Sequence, residues 1–158
     1  MPPALLFDIT QFDLTESPIF DRDTICQINP QQYEMQQLDG ILWFDKDEHL
    51  ILGYKDVTHE EFWVRGHIPG RPLMPGVIMI EAGAQLLSFY VKHVLEEEGF
   101  VGFGGIQEAK FRATVKPGDR LYLLGHGISI KSRKHVFKVQ GIVNEAMAFE
   151  ATISGLRI

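Results

Sequence analysis

The chain has 158 residues, of which 45% are hydrophobic and 23% charged, which is typical of one folded domain and excludes a disordered or collagen-like chain. A single cysteine, Cys26, cannot form an intrachain disulfide, so we expect a cytoplasmic protein. Residues 1–60 hold 3 basic and 12 acidic side chains (−9) and residues 61–158 hold 12 and 9 (+3), for a net charge of −6. This balance argues against nucleic-acid binding by the chain as a whole.

Residues 1–28 are polar and acidic, with scattered apolar side chains. They contain no basic stretch followed by a long apolar run, so a secretory signal is not expected. We predict an N-terminal extension that packs on a domain of residues 29–158 only weakly or through its apolar side chains. Those side chains are Phe7, Ile9, Phe12 and Phe20.

Two regions of the chain predict antiparallel strands. Residues 38–57 contain two apolar runs around the acidic turn Asp45–Glu48, which predicts a β-hairpin. The last third has four runs rich in Val, Ile, Leu and Phe, separated by turn residues, which predicts a four-stranded meander. The four runs cover residues 105–115, 119–130, 135–143 and 147–156.

The basic cluster Lys131–His135 lies between the second and third of these runs. It is interpreted either as a solvated turn, which is the commoner case, or as a surface that docks an acidic protein.

One helix is predicted between the two strand regions, from about Val77 to about Glu98, because Gly99 follows as a stop signal. Apolar residues cover most of its circumference, so we expect it to be enclosed. Glu81 and Gln85 within its apolar stretch argue against a membrane span. A long helix wrapped by an antiparallel sheet is an α+β fold.

Two polar side chains are candidates for chemistry. His67 lies in a loop whose glycines and prolines restrict the backbone, although a loop histidine is more often a structural hydrogen-bonding group. Glu81 lies on the apolar helix, where it either belongs to a solvated stripe at helical spacing or serves as a buried acid. The stripe would consist of Glu81, Gln85, Ser88 and Lys92.

A catalytic interpretation combines three groups. An apolar environment disfavours a carboxylate anion, so Glu81 would act as a general acid near neutral pH. A neutral imidazole at His67 is the complementary base. The backbone amide of Gly76, at the start of the helix, would bind a carbonyl oxygen that gains negative charge. These groups suit removal of a proton beside a carbonyl, coupled to loss of a hydroxyl.

The run from Glu61 to Gln85 reads EFWVRGHIPGRPLMPGVIMIEAGAQ. It strongly resembles the FabZ-type (3R)-3-hydroxyacyl-acyl-carrier-protein dehydratases, whose hallmark is G-H-F-P-G-x-P-x-M-P-G-V followed by E-A-x-A-Q. Residues 29–39 resemble a divergent form of the family's P-H-R-Y-P-F opening, and residues 109–119 resemble its F-(K/R)-x-P-V-x-P-G-D strand. The resemblance covers roughly residues 28–156.

The resemblance implies a hot-dog fold, in which the central helix is wrapped by the sheet. It implies that His67 and Glu81 are the catalytic residues and that they meet from opposite subunits of a homodimer, with trimers of dimers in many members. A glutamate at position 81 resembles the FabZ branch of the family, because the FabA branch has aspartate at that position. Further implied substrate contacts are Pro69, Gly70, Gly76, Val77 and Gln85.

The implied activity is dehydration of a 3-hydroxyacyl thioester on acyl carrier protein to the trans-2-enoyl thioester. The acidic carrier would dock on basic residues, for which Arg65, Lys110, Arg112 and Lys131–Lys134 are candidates. The histidines and the lone cysteine show no metal-ligand spacing, so neither a metal nor a cofactor is expected.

The chain departs from the family pattern at Gln31, Gln32, Glu34, Met35, Ile68 and Thr114. Residues near positions 33 and 68 would line the acyl channel or the dimer contact. Two alternatives stay open: a hot-dog thioesterase, and, because of the altered opening motif, a non-catalytic subunit that binds acyl carrier protein.

Overall fold

Seven strands form one antiparallel sheet in the computed structural model, which describes residues 3–158. The order across the sheet is β1-β2-β3-β5-β6-β7-β4. The strands are β1 (Phe20–Asp21), β2 (Gly40–Asp45), β3 (Leu50–Asp56), β4 (Val101–Phe111), β5 (Arg120–Ile130), β6 (Lys134–Val143) and β7 (Ala146–Arg157).

The predicted hairpin is confirmed as β2 and β3, but the predicted four-stranded meander is wrong in one connection. Strands β5, β6 and β7 are consecutive neighbours, whereas β4 pairs with β7 at the far edge of the sheet. The free side of β5 is taken by β3, so β4 has no place beside it. Strand β4 also begins at Val101, four residues earlier than predicted. The prediction began too late because glycines in this part of the strand lower the local strand propensity.

The described part of the chain forms two α-helices. Helix α1 is short and covers Arg22–Ile28. The central helix α2 covers Gly76–Phe89 and continues as a π-helix over Tyr90–Val94. The predicted end at Glu98 is wrong. The chain leaves the helix by Glu96, which has φ +55°, before Gly99 is reached. Among residues 3–158, no helix is both long and apolar enough to cross a bilayer.

Helix α2 is packed against the inner face of the sheet. Leu86 and Phe89 are fully buried, and burying one such side chain contributes about 1.5–3 kcal/mol. Close approach to β6 depends on Gly83, because a Cβ atom there would lie 2.8 Å from a methyl group of Val139. The α+β hot-dog arrangement, with the helix wrapped by the sheet, is confirmed.

The first 28 residues contain more structure than the sequence predicted. Phe7 and Phe12 pack on Trp43, with ring centroids 5.5 and 4.7 Å from it, so the predicted apolar side chains do attach this segment. Helix α1 is capped by Asp21, whose carboxylate accepts a hydrogen bond from Thr24 N–H at 2.9 Å. Ile25 of this helix is fully buried in the main core.

Tyr90 is the largest fully buried side chain. Its hydroxyl lies 2.7 Å from Nδ1 of His49. Burial, with a smaller effect of Asp45 and Asp47, raises the pKa of Tyr90 to about 12. An unfolded tyrosine has a pKa of about 10, so the folded chain holds this proton more tightly. The resulting stabilisation is complete below pH 10 and is lost as the pH rises towards 12.

Tyr90→Phe should therefore change both the stability and its pH dependence. At pH 8 the loss of the hydrogen bond to His49 should lower the free energy of unfolding by about 1 kcal/mol. Between pH 10 and 12 the variant should lose less stability than the wild type. Urea unfolding across this range measures both effects, with Tyr122→Phe, a partly exposed site, as the control. Parallel curves for wild type and Tyr90→Phe would contradict this assignment.

Candidate active site

The loop between β3 and α2 is anchored by a buried ion pair. Lys55 Nζ lies 3.0 Å from Glu61 Oε1 and 3.7 Å from Asp39 Oδ2, and its side chain is only 3% exposed. Burial raises the pKa of the Asp39 carboxyl above its usual value, although Lys55 and Arg22 beside it act in the opposite direction. Removing one partner of such a buried pair is costly, so the start of the loop is held firmly.

His67 is exposed on this loop and is oriented by two hydrogen bonds. Its backbone N–H donates to the carbonyl oxygen of Trp63 at 3.0 Å, and Trp63 is itself buried. Its ring Nδ1 lies 2.9 Å from the carbonyl oxygen of Leu73. Because a carbonyl only accepts, Nδ1 is assigned the proton. The neutral ring then presents the lone pair of Nε2, which is what a general base requires.

Gly76 begins helix α2 and cannot be replaced without moving an aromatic ring. A Cβ atom at this position would lie 2.7 Å from the ring of Phe111. Pro75 precedes it as N-cap and makes no side-chain hydrogen bond to the first turn. The first amides of a helix lack intrahelical partners and carry partial positive charge, so this end of α2 suits an oxygen that gains negative charge.

Glu81 is partly exposed, and its position is set by Gln85 one turn later. Gln85 Nε2 donates to Glu81 Oε1 at 3.0 Å and to the carbonyl oxygen of Met35 at 2.7 Å. Gln85 Oε1 accepts from the amides of Gln37 and Leu38 at 2.8 and 3.2 Å. Both donors and both acceptor positions of this buried amide are therefore used within the chain. Gln85 fixes the Glu81 carboxylate relative to residues 35–38.

A cavity of about 220 Å³ lies along one face of the helix. Its walls are mainly apolar, and Glu81 and Ser88 of the helix also line it. The polar positions at helical spacing thus do not form one uniformly solvated stripe. Gln85 is buried, whereas Glu81, Ser88 and Lys92 are each partly exposed. Glu81 and Ser88 line the cavity, and Lys92 donates to the carbonyl oxygen of Gly99 at 2.9 Å.

The candidate residues fall into two groups within one chain. Glu81 lines the cavity, next to Gln85, whereas His67 is not among the described residues that line it. Pro69 and Gly70 are exposed on the loop with His67, and Gly70 has φ +80°, which favours glycine. Val77 is 70% exposed at the first turn of α2. One chain therefore presents an imidazole on a loop and a carboxylate in a cavity.

Two further polar side chains in the cavity wall were not among the site residues predicted from the sequence. His135 on β6 is 1% exposed, and Gln31 is partly buried; among residues 3–158, His135 Nδ1 and Gln31 Oε1 find no hydrogen-bond partner. His135 had been grouped with the basic turn. A signal was available, because His135, Phe137 and Val139 alternate along β6 and all three are buried.

Solved structures similar to this chain have low sequence identity to it and show the fold. The dehydratase heterocomplex ApeI:P from Xenorhabdus doucetiae matches with a TM-score of 0.70 and 11% identity, covering 85% of this chain and 90% of that chain. Cj0977, a sigma28-regulated virulence protein from Campylobacter jejuni, matches with a TM-score of 0.67 and 21% identity, covering 93% and 96%.

Relatives with higher identity include proteins named 3-hydroxyacyl-[acyl-carrier-protein] dehydratase FabZ. The protein from Protochlamydia amoebophila is 35% identical over 142 residues, which cover 89% of this chain and 92% of the relative. The protein from Clostridium tetani is 38% identical over 130 residues, which cover 82% and 91%. The FabA-like domain model matches residues 29–152. On these matches the chain belongs to the FabA-like family, with FabZ proteins among its relatives.

Proposed function

We propose that this protein dehydrates a (3R)-3-hydroxyacyl thioester on acyl carrier protein to the trans-2-enoyl thioester, in fatty acid synthesis. The relatives named FabZ support this reaction. The observation that carries the proposal is the position of Glu81, a carboxylate held by Gln85 in the wall of a mainly apolar cavity. An apolar cavity suits an acyl chain, and a carboxyl group at its wall suits proton transfer to a leaving hydroxyl.

The proposed reaction removes a proton from C2 and the hydroxyl from C3. The hydroxyl leaves as water with a proton from the protonated form of Glu81, and the proton held by His67 then restores Glu81 for the next turnover. His67 Nε2 takes the proton from C2, and the C2–H electron pair forms the C2=C3 double bond. Glu81 donates a proton to the C3 hydroxyl as the C3–O bond breaks. The Gly76 amide binds the thioester oxygen while negative charge develops on it. Gln85 acts as a positioning residue for Glu81, and Pro69, Gly70 and Val77 contact the substrate near these groups.

The two proton-transfer groups come from different copies of the chain in this proposal. Strand β4 supports a homodimer, because it forms an edge of the sheet and exposes apolar side chains. A long, exposed, apolar edge strand is a surface prepared for pairing. The exposed apolar residues on it are Phe103, Ile106 and Phe111. We extend the proposal to trimers of dimers, as the family resemblance implies.

The proposed partner is acyl carrier protein, and the proposed location is the cytoplasm. Arg65 is exposed two residues before His67, so it can hold an acidic carrier close to the proton acceptor. Arg112 is less available for docking the carrier, because its Nη2 lies 2.7 Å from Glu150 Oε2. We assign residues 29–158 to the catalytic domain and residues 1–28 to an extension attached to it.

His67→Ala and Glu81→Gln should each abolish most of the dehydration, because each removes one proton-transfer group. We expect kcat to fall by about 10²–10⁴ with unchanged circular dichroism. His126→Ala and Glu60→Gln are matched controls that should keep wild-type turnover. Mass spectrometry of carrier-bound products provides the measurement.

The same assay distinguishes the alternatives by their products. A thioesterase would release free thiol, and a non-catalytic subunit would bind the hydroxyacyl carrier without forming enoyl product. Wild-type turnover by either substituted protein would remove that residue from the mechanism.

Ile106→Asp should weaken the dimer, because pairing through β4 would bury an unpaired charge. We expect the dimer dissociation constant to rise by roughly tenfold or more, together with loss of activity at low protein concentration. Ile128→Asp, which changes an exposed apolar residue on β5, is the control. Sedimentation velocity over a concentration series measures the change. An Ile106→Asp protein as dimeric as wild type would place the interface elsewhere.

Arg65→Glu should raise KM for carrier-bound substrate several-fold, because it reverses a charge facing the acidic carrier. The same change should leave turnover of a small thioester substrate nearly unchanged, since no carrier docks. Lys46→Glu, at an exposed turn, is the control. Equal effects on both substrates would mean that Arg65 acts within the site and not in docking.

A further inference from the structure

The cavity that Glu81 lines extends along one face of α2 and its π-helical continuation. Glu81, Ala84, Ser88 and Val91 all line it, and their spacing of three or four residues places them on one side of a helix. A rise of about 1.5 Å per residue separates Glu81 from Val91 by about 15 Å along the helix axis. The cavity is therefore elongated, with Glu81 at one end of this row.

The sheet forms the opposite wall and follows the helix in the same direction. The ring centroids of Tyr90 and Phe137 are 5.8 Å apart, and beyond the helix Glu97 Oε2 lies 2.7 Å from His135 Nε2. Phe137 and His135 both line the cavity from β6. The end of the cavity that is far from Glu81 therefore lies beside His135.

The connection between the helix and β4 closes this far end. Residues 95–100 join the helix end at Val94 to the start of β4 at Val101. Val91 on the helix and Val101 on the strand line opposite sides of the cavity. Because the chain is continuous between these two walls, residues 95–100 have to cross the far end of the cavity.

This connection is held on both sides, and Phe100 is the part of it that lines the cavity. The contact between Glu97 and His135 attaches the connection to β6. The backbone N–H of Ile158 donates to the carbonyl oxygen of Phe100 at 3.0 Å, which attaches it to the end of the chain. Phe100 is therefore a fixed apolar boundary at the far end.

Gly155 of β7 leaves space beside this boundary. It lines the cavity together with Ile153, two residues earlier, so both positions lie on the same face of the strand. A Cβ atom at Gly155 would lie 3.0 Å from Cγ1 of Val101. Any larger side chain at position 155 would fill space next to Phe100.

We propose that the turn of residues 95–100 ends the acyl cavity and that Phe100 sets an upper limit on the length of the acyl chain. This inference rests on the proposed function, because it concerns the chain length of the same substrate. A C–C bond of about 1.5 Å advances an extended chain by about 1.3 Å per carbon, so a cavity about 15 Å long holds about 12 carbons beyond C3. Phe100 and Gly155 determine specificity and take no part in proton transfer.

The test compares carrier-bound 3-hydroxyacyl substrates with plain saturated chains of increasing length. In the wild type, kcat/KM should rise with each carbon that the cavity buries. It should then fall by about tenfold or more once the chain is too long to end before Phe100, because the excess carbons have no space. Mass spectrometry of the carrier-bound products measures each rate.

Two substitutions should move this limit in opposite directions. Phe100→Ala removes the boundary ring and should extend the limit to longer chains, whereas Gly155→Val fills the far end and should shorten it. Leu156→Ala is the matched control and should keep the wild-type limit. Leu156 is 42% exposed and Phe100 is 53% exposed, but Leu156 is not among the described residues that line the cavity.

A mixed dimer identifies which chain carries the limit. In the proposed homodimer, a His67→Ala chain supplies Glu81 and a Glu81→Gln chain supplies His67, so only mixed dimers are active. Phe100→Ala added to the His67→Ala chain should extend the limit, because the cavity of that chain holds the acyl group. Added to the Glu81→Gln chain, it should have no effect. The reverse pattern would overturn the assignment of the cavity.

The outcomes separate this inference from the proposed function. If no chain length yields enoyl product, the proposed function fails. If enoyl product forms equally well from chains far longer than the cavity, or if Phe100→Ala keeps the wild-type limit, the closed end is refuted while the dehydration stands. The wild-type series and the half-exposed Phe100 decide the matter even if Gly155→Val does not fold.

Discussion

One buried amide holds the candidate site together. Gln85 joins helix α2 to residues 35–38 through bonds to Met35, Gln37 and Leu38, and its remaining hydrogen fixes Glu81. A side chain that is 1% exposed and fully bonded has one stable orientation, because any rotation leaves buried polar groups unpaired. The position of the Glu81 carboxyl group is therefore set by residues 35–38, which precede β2.

The helix and the His67 loop are fixed by separate means. The helix is held by apolar packing inside the sheet and by Gln85. The loop is held by the Lys55–Glu61 ion pair and by the burial of Trp63. His67 and Glu81 thus have independent supports within one chain, and the cavity that contains the carboxylate is not lined by His67. In the proposed homodimer, the second copy brings the two groups into one site.

Local signals in the sequence were enough to predict the central helix, the hairpin and the family. An apolar circumference predicted an enclosed helix, and the run around His67 and Glu81 predicted the family. The helix end was misjudged because Gly99 is a strong stop signal, whereas the chain turns earlier at Glu96. The pairing of β4 with β7 depends on which edges are free, and nothing local in either strand records this.

The sequence analysis also assigned one residue of the cavity wall to the wrong part of the structure. His135 follows Lys134 in a basic cluster and was assigned to the turn, although strand alternation places it with Phe137 on the buried face. The bonds of Gln85 join residues about 50 positions apart in the chain, so only the fold brings them together.

Mixing His67→Ala with Glu81→Gln protein tests the shared site most directly. After subunit exchange, half of the dimers are mixed, and each mixed dimer has one site with both wild-type groups if the groups come from different chains. The mixture should then recover about a quarter of the wild-type activity, from two proteins that are inactive alone. No recovery after confirmed exchange would contradict the account, because it would mean that His67 and Glu81 of the same chain act together.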